Sequence, residues 1–371
     1  MLNFQDLPDE LILKILSYAE TKDLINCGQV SKKIRRISQD ATLWETANLE
    51  KKIVNTELIQ MILRKGCRVL NLHQSTILGS LSSISRSGLR RGLLIPKSQL
   101  RVLKLSRPEC NTNCNCDSDT DNYKLITDSD TDTSLTNTSR DDCDENTDVL
   151  EDLLFSCSSL QQLEIKDVLL TNEMAESICK NGKTLQILNL NSSDLFFSEY
   201  SEGSEDSEES EDLEDSEDSE DWEDYNYLQE IFKCCQELKE VGLANVNYGN
   251  GITEDDDLEF LFKNIPPNVE KLNLRGTLIS DNQVETLLNR CNKIKTLSLE
   301  ATWITDDSFS SIRQCLNHTL EELSLGPFDE ISDPGFLELK SMPRLKILKL
   351  YYKGKYYNKD DGEVIQRNLR Q

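Results

Sequence analysis

The pattern leucine-x-x-leucine-x-leucine, with other aliphatic residues standing in, recurs along most of this chain and limits its fold more than anything else in it. It reads LQQLEI over Leu160–Ile165, LQILNL over Leu185–Leu190, LKEVGL over Leu238–Leu243 and VEKLNL over Val269–Leu274. It continues as IKTLSL, LEELSL and LKILKL, ending at Leu299, Leu325 and Leu350, and two earlier copies end at Leu72 and Leu105. Between the central aliphatic positions 163 and 188, 272 and 297, 297 and 323, and 323 and 348, the steps are 25, 25, 26 and 25 residues. Alternation of apolar and polar residues makes a short strand with its leucines turned inward. The rest of each step is long enough for a turn and a helix that bring the chain back beside the same strand. One copy cannot bury its leucines, but a stack of copies can. The expected class is therefore α/β, a curved solenoid with parallel strands on its concave face and helices outside.

That period is the one of a leucine-rich repeat. The segments between strands repeat too, as TLISDNQVETLLNRC from Thr277 and TWITDDSFSSIRQC from Thr302, with a looser copy from Glu330. Ser280 or Asp281, Thr305 or Asp306, and Ser332 or Asp333 stand where helix N-caps are wanted, ahead of Val284, Leu287 and Leu288 or of Phe309 and Ile312 at helical spacing. Cys157, Cys235 and Cys291 each precede the first aliphatic residue of a strand by three positions, with Cys315 near the same place. This resembles the cysteine-containing subtype of the repeat, in which a small thiol packs at the helix end. The remaining cluster Cys110, Cys114, Cys116 and Cys143 lacks the paired C-x2-4-C arms of structural zinc, so no metal is expected.

The net charge of −26 is concentrated rather than spread. The window Ser198–Asp224 holds 16 acidic residues and no basic one, and Asp117–Asp148 holds 11 acidic residues against Lys124 and Arg140. The other 312 residues carry 40 acidic and 39 basic side chains. With the windows removed, the step from Leu188 to Val241 falls from 53 to 26 residues and that from Leu103 to Leu163 from 60 to 28. Both windows are thus expected to be insertions in turns after a strand, too charged to be ordered by burial. Their Ser-Glu and Ser-Asp steps suit acid-directed phosphorylation, which would deepen the charge.

Ahead of the repeats, Leu11, Ile12, Ile15 and Leu16 make one apolar helix face behind Pro8. Asp23 is placed to cap a second helix with Leu24 and Ile25, and Val30, Ile34 and Ile37 supply a third. Three short helices in so few residues make a core too small to stand alone, so a partner is expected. This stretch resembles an F-box, the helical module through which proteins join an SCF-type ubiquitin ligase. The matching residues are Leu7-Pro8, Glu10-Leu11, Ile15-Leu16 with Tyr18, Asp23-Leu24, Val30-Ser31-Lys32-Lys33 and Leu43-Trp44. Ser31 stands where that family usually has cysteine and Ile34 where it often has tryptophan. The order of the whole chain resembles the F-box/leucine-rich-repeat family. It divides into an F-box (4–50), first repeats (51–107), an acidic polar insert (108–148), repeats (149–197), an acidic insert (198–224), repeats (225–351) and a tail (352–371).

The resemblance implies a substrate-recognition subunit of a cullin-RING ligase. Its adaptor contact would run through Leu7, Pro8, Leu11, Ile15, Leu16, Val30, Ile34, Leu43 and Trp44, and the adaptor would bring cullin and RING subunits. Nothing points to catalysis: the two histidines, His73 and His318, lie in turns, and no nucleotide, hydrolase or metalloprotease motif occurs. No cofactor is expected. Residues flanking the inward leucines would face a protein substrate, foremost Lys271, Asn273, Arg275, Ser298, Glu300, Ser324, Lys349 and Tyr351. The tyrosines and lysines of the tail are expected to cover the last edge of the sheet rather than stack on nucleic acid. No long apolar run or secretory leader is present, so a soluble chain of cytoplasm or nucleus without membrane contact is expected. The competing reading is a scaffold that binds basic proteins through the repeats and acidic windows.

Overall fold

We describe the chain from a computed structural model, which describes residues 4–78, 98–106, 145–193, 227–246, 261–328, 338–352 and 364–368. Three short helices open it: α1 (Asp9–Leu16), α2 (Thr21–Val30) and α3 (Lys32–Ser38). Pro8 is the N-cap of α1, where its missing N–H costs nothing. The second helix starts two residues before the expected cap, so Asp23 lies in its first turn, where a carboxylate favours the positive end of the helix dipole. Ser31 separates α2 from α3, and its hydroxyl accepts a hydrogen bond from Ile34 N at 3.2 Å. Val30 consequently ends α2 rather than opening α3, and it is exposed.

The repeats form one sheet. Its strands are β1 (Thr46–Asn48), β3 (Val69–Leu72), β5 (Val102–Ser106), β6 (Gln162–Lys166), β7 (Ile187–Asn189), β8 (Glu240–Gly242), β9 (Lys271–Asn273), β10 (Thr296–Glu300), β11 (Glu322–Phe328), β12 (Ile347–Tyr352) and β13 (Val364–Asn368), and they pair in that order. Every pairing is parallel except the last, in which β13 runs antiparallel to β12. A separate two-stranded parallel pair joins β2 (Ile53–Asn55) to β4 (Thr76–Leu78). Between strands run α4 (Thr56–Arg64), α5 (Glu145–Ser156), α6 (Asn172–Lys180), α7 (Tyr227–Cys234), α8 (Asp281–Arg290) and α9 (Asp307–Leu316).

The strand register is that of the sequence pattern. Leu70, Leu103, Leu163, Leu188, Val241, Leu272, Leu297, Leu323 and Leu348 pair in one unbroken row, and all are buried. Three residues before each stands a second buried row that runs from Cys67 to Leu345. β1 extends both rows by one strand: Ala47 pairs with Leu70, and Trp44 occupies the place of Cys67. The closing Leu43-Trp44 of the helical module therefore opens the repeat stack as well.

Seven strands of the sheet, β1, β3 and β6 to β10, leave by a left-handed turn. Lys51, Gln74, Asp167, Ser192, Asn245 and Ala301 have φ between 52° and 58°, and Gly276 takes the same place at 68°. A Cβ on Gly276 would require the Asn245 amide, 2.1 Å away at Oδ1, to shift, and the positive φ is what favours glycine there. Ser280 opens α8 with its backbone N–H on Gln283 Oε1 at 2.9 Å. Asp281 Oδ1 reaches into the next repeat to accept from Thr305 N at 2.9 Å, and Oδ2 accepts from Thr305 Oγ1 at 2.8 Å.

One boundary moves. Helix α5 begins at Glu145, inside the segment assigned to the first acidic insert, because Val149, Leu150, Leu153 and Leu154 bury an apolar face that its first turn leads into. In the tail, residues 364–368 pair antiparallel with β12, while the tail's tyrosines and lysines between 353 and 359 lie outside the described residues. The window Ser198–Asp224, residues 108–144, the four clustered cysteines and the Ser332/Asp333 cap lie outside the described residues.

Candidate functional site

Two surfaces carry the residues singled out in the sequence. The first is the helical module, where the structure divides the nine expected contact residues. Leu16, Ile34, Leu43 and Trp44 are buried, and Leu7 packs half-buried against them. These side chains pack the interior of the domain. Trp44 Nε1 donates to Ser38 O at 2.7 Å, which fixes the end of α3 against the sheet. Pro8, Leu11, Ile15 and Val30 are exposed. Leu11, Ile15 and Val30 keep 52%, 46% and 64% of their surface in water, and Tyr18 keeps 77%. The apolar face of α1 is thus two stripes: Ile12 and Leu16 face inward, while Leu11 and Ile15 face out. Tyr18 was part of the sequence match but not of the expected contacts, and Lys14 Nζ lies 5.0 Å from its ring centre.

The second surface is the solvent face of the sheet. Lys271, Asn273 and Arg275 lie on and just beyond β9, Ser298 and Glu300 on β10, Ser324 on β11, and Lys349 and Tyr351 on β12. Pairing sets Asn273, Ser298, Ser324 and Lys349 in one row across four strands. Glu300 and Ser324 are more deeply set than expected, at 8% and 6% exposure.

Charges on this face meet across neighbouring strands. Lys104 pairs with Glu164 at 2.9 Å, Lys271 with Glu240 at 3.2 Å, Arg275 with Glu300 at 3.4 Å, and Lys349 with Glu322. Just before the strands a second line pairs Lys295 with Glu270 at 2.7 Å and Lys346 with Glu321. The hydrogen bond from Lys295 holds the Glu270 carboxyl below its usual range, and that from Lys346 does the same for Glu321. Burial pushes Glu164 up, but hydrogen bonds from Lys104 and Gln162 outweigh it and the carboxyl ends low. Glu300 goes the other way. Burial raises it, and neither Arg275 and Lys349 nor the hydroxyls of Ser324 and Ser298 bring it back.

Cys67, Cys157, Cys235 and Cys291 are interior, while Cys315 is half-buried. Cys157, Cys235 and Cys291 are each pushed up to about 12 by burial and Cys67 to about 11, so they remain thiols at neutral pH and pack as small apolar groups. Among the described residues no three His, Cys, Asp or Glu side chains form a metal-binding group, and no helix is long and apolar enough to cross a membrane. Sequence reading missed Asn181. Its side chain is buried after α6, donates to Ser177 O at 2.9 Å and Cys157 O at 3.2 Å, and accepts from Leu160 N at 3.0 Å.

Comparison with known proteins bears on the first surface. The F-box-like family model matches residues 4–50. Among solved structures, the chain is similar to a Bacteroides fragilis protein at 16% identity and TM-score 0.28, over 44% of this chain and 40% of that one. It is also similar to a chain in the complex of Rad7 and Elc1 from yeast, at 13% identity and TM-score 0.41, over 89% of this chain and 77% of that one. With the family match over the three helices and the unbroken leucine register behind them, the protein is an F-box-like domain joined directly to leucine-rich repeats.

Proposed function

We propose that the protein is a substrate-recognition subunit of an SCF-type, cullin-RING ubiquitin ligase. The observation that carries this reading is the exposed apolar face of the F-box-like domain. Pro8, Leu11, Ile15, Tyr18 and Val30 stand in water beside a fully formed core, on the module whose family docks to the ligase adaptor. Apolar side chains gathered on a small domain mark a protein interface. The adaptor would connect the chain to cullin and RING subunits in cytoplasm or nucleus, and the strand face would hold a protein substrate. The contribution is positioning: a bound substrate lysine is kept at high local concentration near the conjugating enzyme. Ubiquitin transfer belongs to the other subunits.

Substituting Leu11→Lys and Ile15→Lys together tests this. Both side chains are about half exposed, so the fold should survive with its melting temperature unchanged. Each apolar anchor lost from an interface centre costs about 2 kcal/mol, so capture by the adaptor should fall by about a hundredfold or more. Substrate lifetime in cells should lengthen in step. Wild-type capture by the double variant would defeat the proposal, whereas the buried pair Ile12 and Leu16 would unfold the domain and decide nothing.

A further inference from the structure

Two cysteines of different repeats meet on the helical side of the stack. Cys179 stands in the last turn of α6, and Cys234 is the last residue of α7. The two helices pack side by side, and their C-terminal ends approach through the backbone. A Cβ on Gly182, just past α6, would lie 2.4 Å from Cys234 O and 3.1 Å from Cys179 O, so glycine there is what lets the end of α7 come this close. The Cys179 thiol donates to Glu230 O at 3.6 Å, one helical turn ahead of Cys234, and it lies within hydrogen-bonding reach of the Cys234 thiol as well. Burial raises the Cys179 thiol, and the sulfurs of Cys234 and Cys235 beside it raise it further. Cys179 is half-buried and Cys234 is exposed, whereas Cys235 faces the core.

Single interior thiols pack as small apolar groups, but two thiols already in contact, one of them open to solvent, can be joined by turning side chains without moving the backbone. We propose that Cys179 and Cys234 are a reversible oxidation site, closed to a disulfide by hydrogen peroxide. The exposed Cys234 sulfur takes one peroxide oxygen as the O–O bond breaks, which gives a sulfenic acid and one water. The Cys179 sulfur then attacks it: the S–S bond forms, the S–O bond breaks, and the hydroxyl leaves with the Cys179 proton as a second water. Two thiols are oxidised and one peroxide is reduced to two waters. A reducing thiol reopens the bond by exchange. Because Cys179 holds its proton at neutral pH, closure is slow there and quickens in alkali. The ring so closed runs from Cys179 to Cys234 and contains the whole Ser198–Asp224 window, so the bond ties together the two repeats between which that window is inserted. The site stands independently of the proposed function.

The test treats the reduced full chain with hydrogen peroxide, alkylates the remaining thiols on unfolding, and digests with trypsin without reductant. The peptide DVLLTNEMAESICK (167–180) should appear joined to CCQELK (234–239), and dithiothreitol should release it. The link should form about tenfold faster or more in the native chain than in urea, where only a long flexible loop connects the two sulfurs. It should vanish in C234S, whose exposed position leaves the melting temperature of the reduced chain unchanged, and persist in C315S. The linked chain should melt about 5 °C or more above the reduced one, since the ring restricts the unfolded state. Three outcomes overturn the site: a Cys179 thiol still alkylated in full after peroxide, a link that survives in C234S and so belongs to Cys235, or equal rates of closure in urea and in buffer.

Discussion

Glu300 is the residue at which acid–base behaviour and stability separate most clearly. Burial raises its carboxyl, so ionising it is harder in the folded chain than in the unfolded one. Its contribution therefore favours the fold in acid, below the unfolded glutamate value of about 4.3, and is lost as pH rises through the folded value. Glu300→Gln removes that penalty. The variant should melt no lower than wild type at neutral pH, with any gain shrinking toward acid, as thermal scans across that range would reveal. A clear drop in melting temperature at neutral pH would mean that the pair with Arg275 outweighs the desolvation. Ala301 next to it is a different case. It is the smallest non-glycine residue in the left-handed row, with φ 53° and no polar side chain to bond locally. Left-handed backbone costs an L-residue roughly 1 kcal/mol that glycine avoids, so Ala301→Gly should stabilise by about that amount in denaturant titration, less the entropy glycine adds to the unfolded chain. Gly276→Ala should do the opposite, since alanine would have to hold the left-handed φ of 68° that glycine adopts freely.

Among the elements, α6 is held to the preceding repeat by Asn181 rather than by its apolar face alone. Three hydrogen bonds join that one amide to Ser177 O, Cys157 O and Leu160 N. Asn181→Ala leaves a buried backbone donor and two carbonyls short, which should cost about 2–3 kcal/mol and lower the urea midpoint. Nothing in NGKTL announces this, because asparagine after a helix also suits an exposed C-cap. The strands, by contrast, were legible: a period of two inside a period of about 25 residues has few physical readings, and the leucine rows fall as the sequence placed them. The α1 face was half legible. Leu11, Ile12, Ile15 and Leu16 all lie on one side of a helix, but which pair turns inward depends on where α3 packs, and sequence spacing does not contain that. The first strand escaped notice for another reason. Trp44, Ala47 and Leu49 fill the repeat positions with a tryptophan and an alanine, so the pattern is present in register and absent in composition.

At the scale of the molecule, that first strand makes the F-box-like domain and the solenoid share one core. Lys65, at the end of α4, donates to Gln39 O at 3.0 Å and lies 5.3 Å from the centre of the Trp44 ring, while Arg68 pairs with Glu45 at 2.6 Å. Trp44→Ala should therefore cost about 3–5 kcal/mol and loosen the helices and the first repeats together, visible as joint loss of amide-exchange protection in both. The acidic window enters the same architecture at one step only. Its removal turns the 53 residues from Leu188 to Val241 into 26, the length of an ordinary repeat, and β7 and β8 already pair directly across it, with Leu188 beside Val241. A chain lacking Ser198–Asp224 should keep the sheet and the adaptor surface while its net charge falls from −26 to −10. Less self-repulsion and a shorter closed loop both favour the fold, the loop by only about 0.6 kcal/mol per halving of its length. Melting temperature should stay level or rise, adaptor capture should be unchanged, and association with basic peptides should slow and lose part of its salt dependence. If deletion unfolds repeats on both sides of β7 and β8, the window is part of the solenoid rather than an insertion in it.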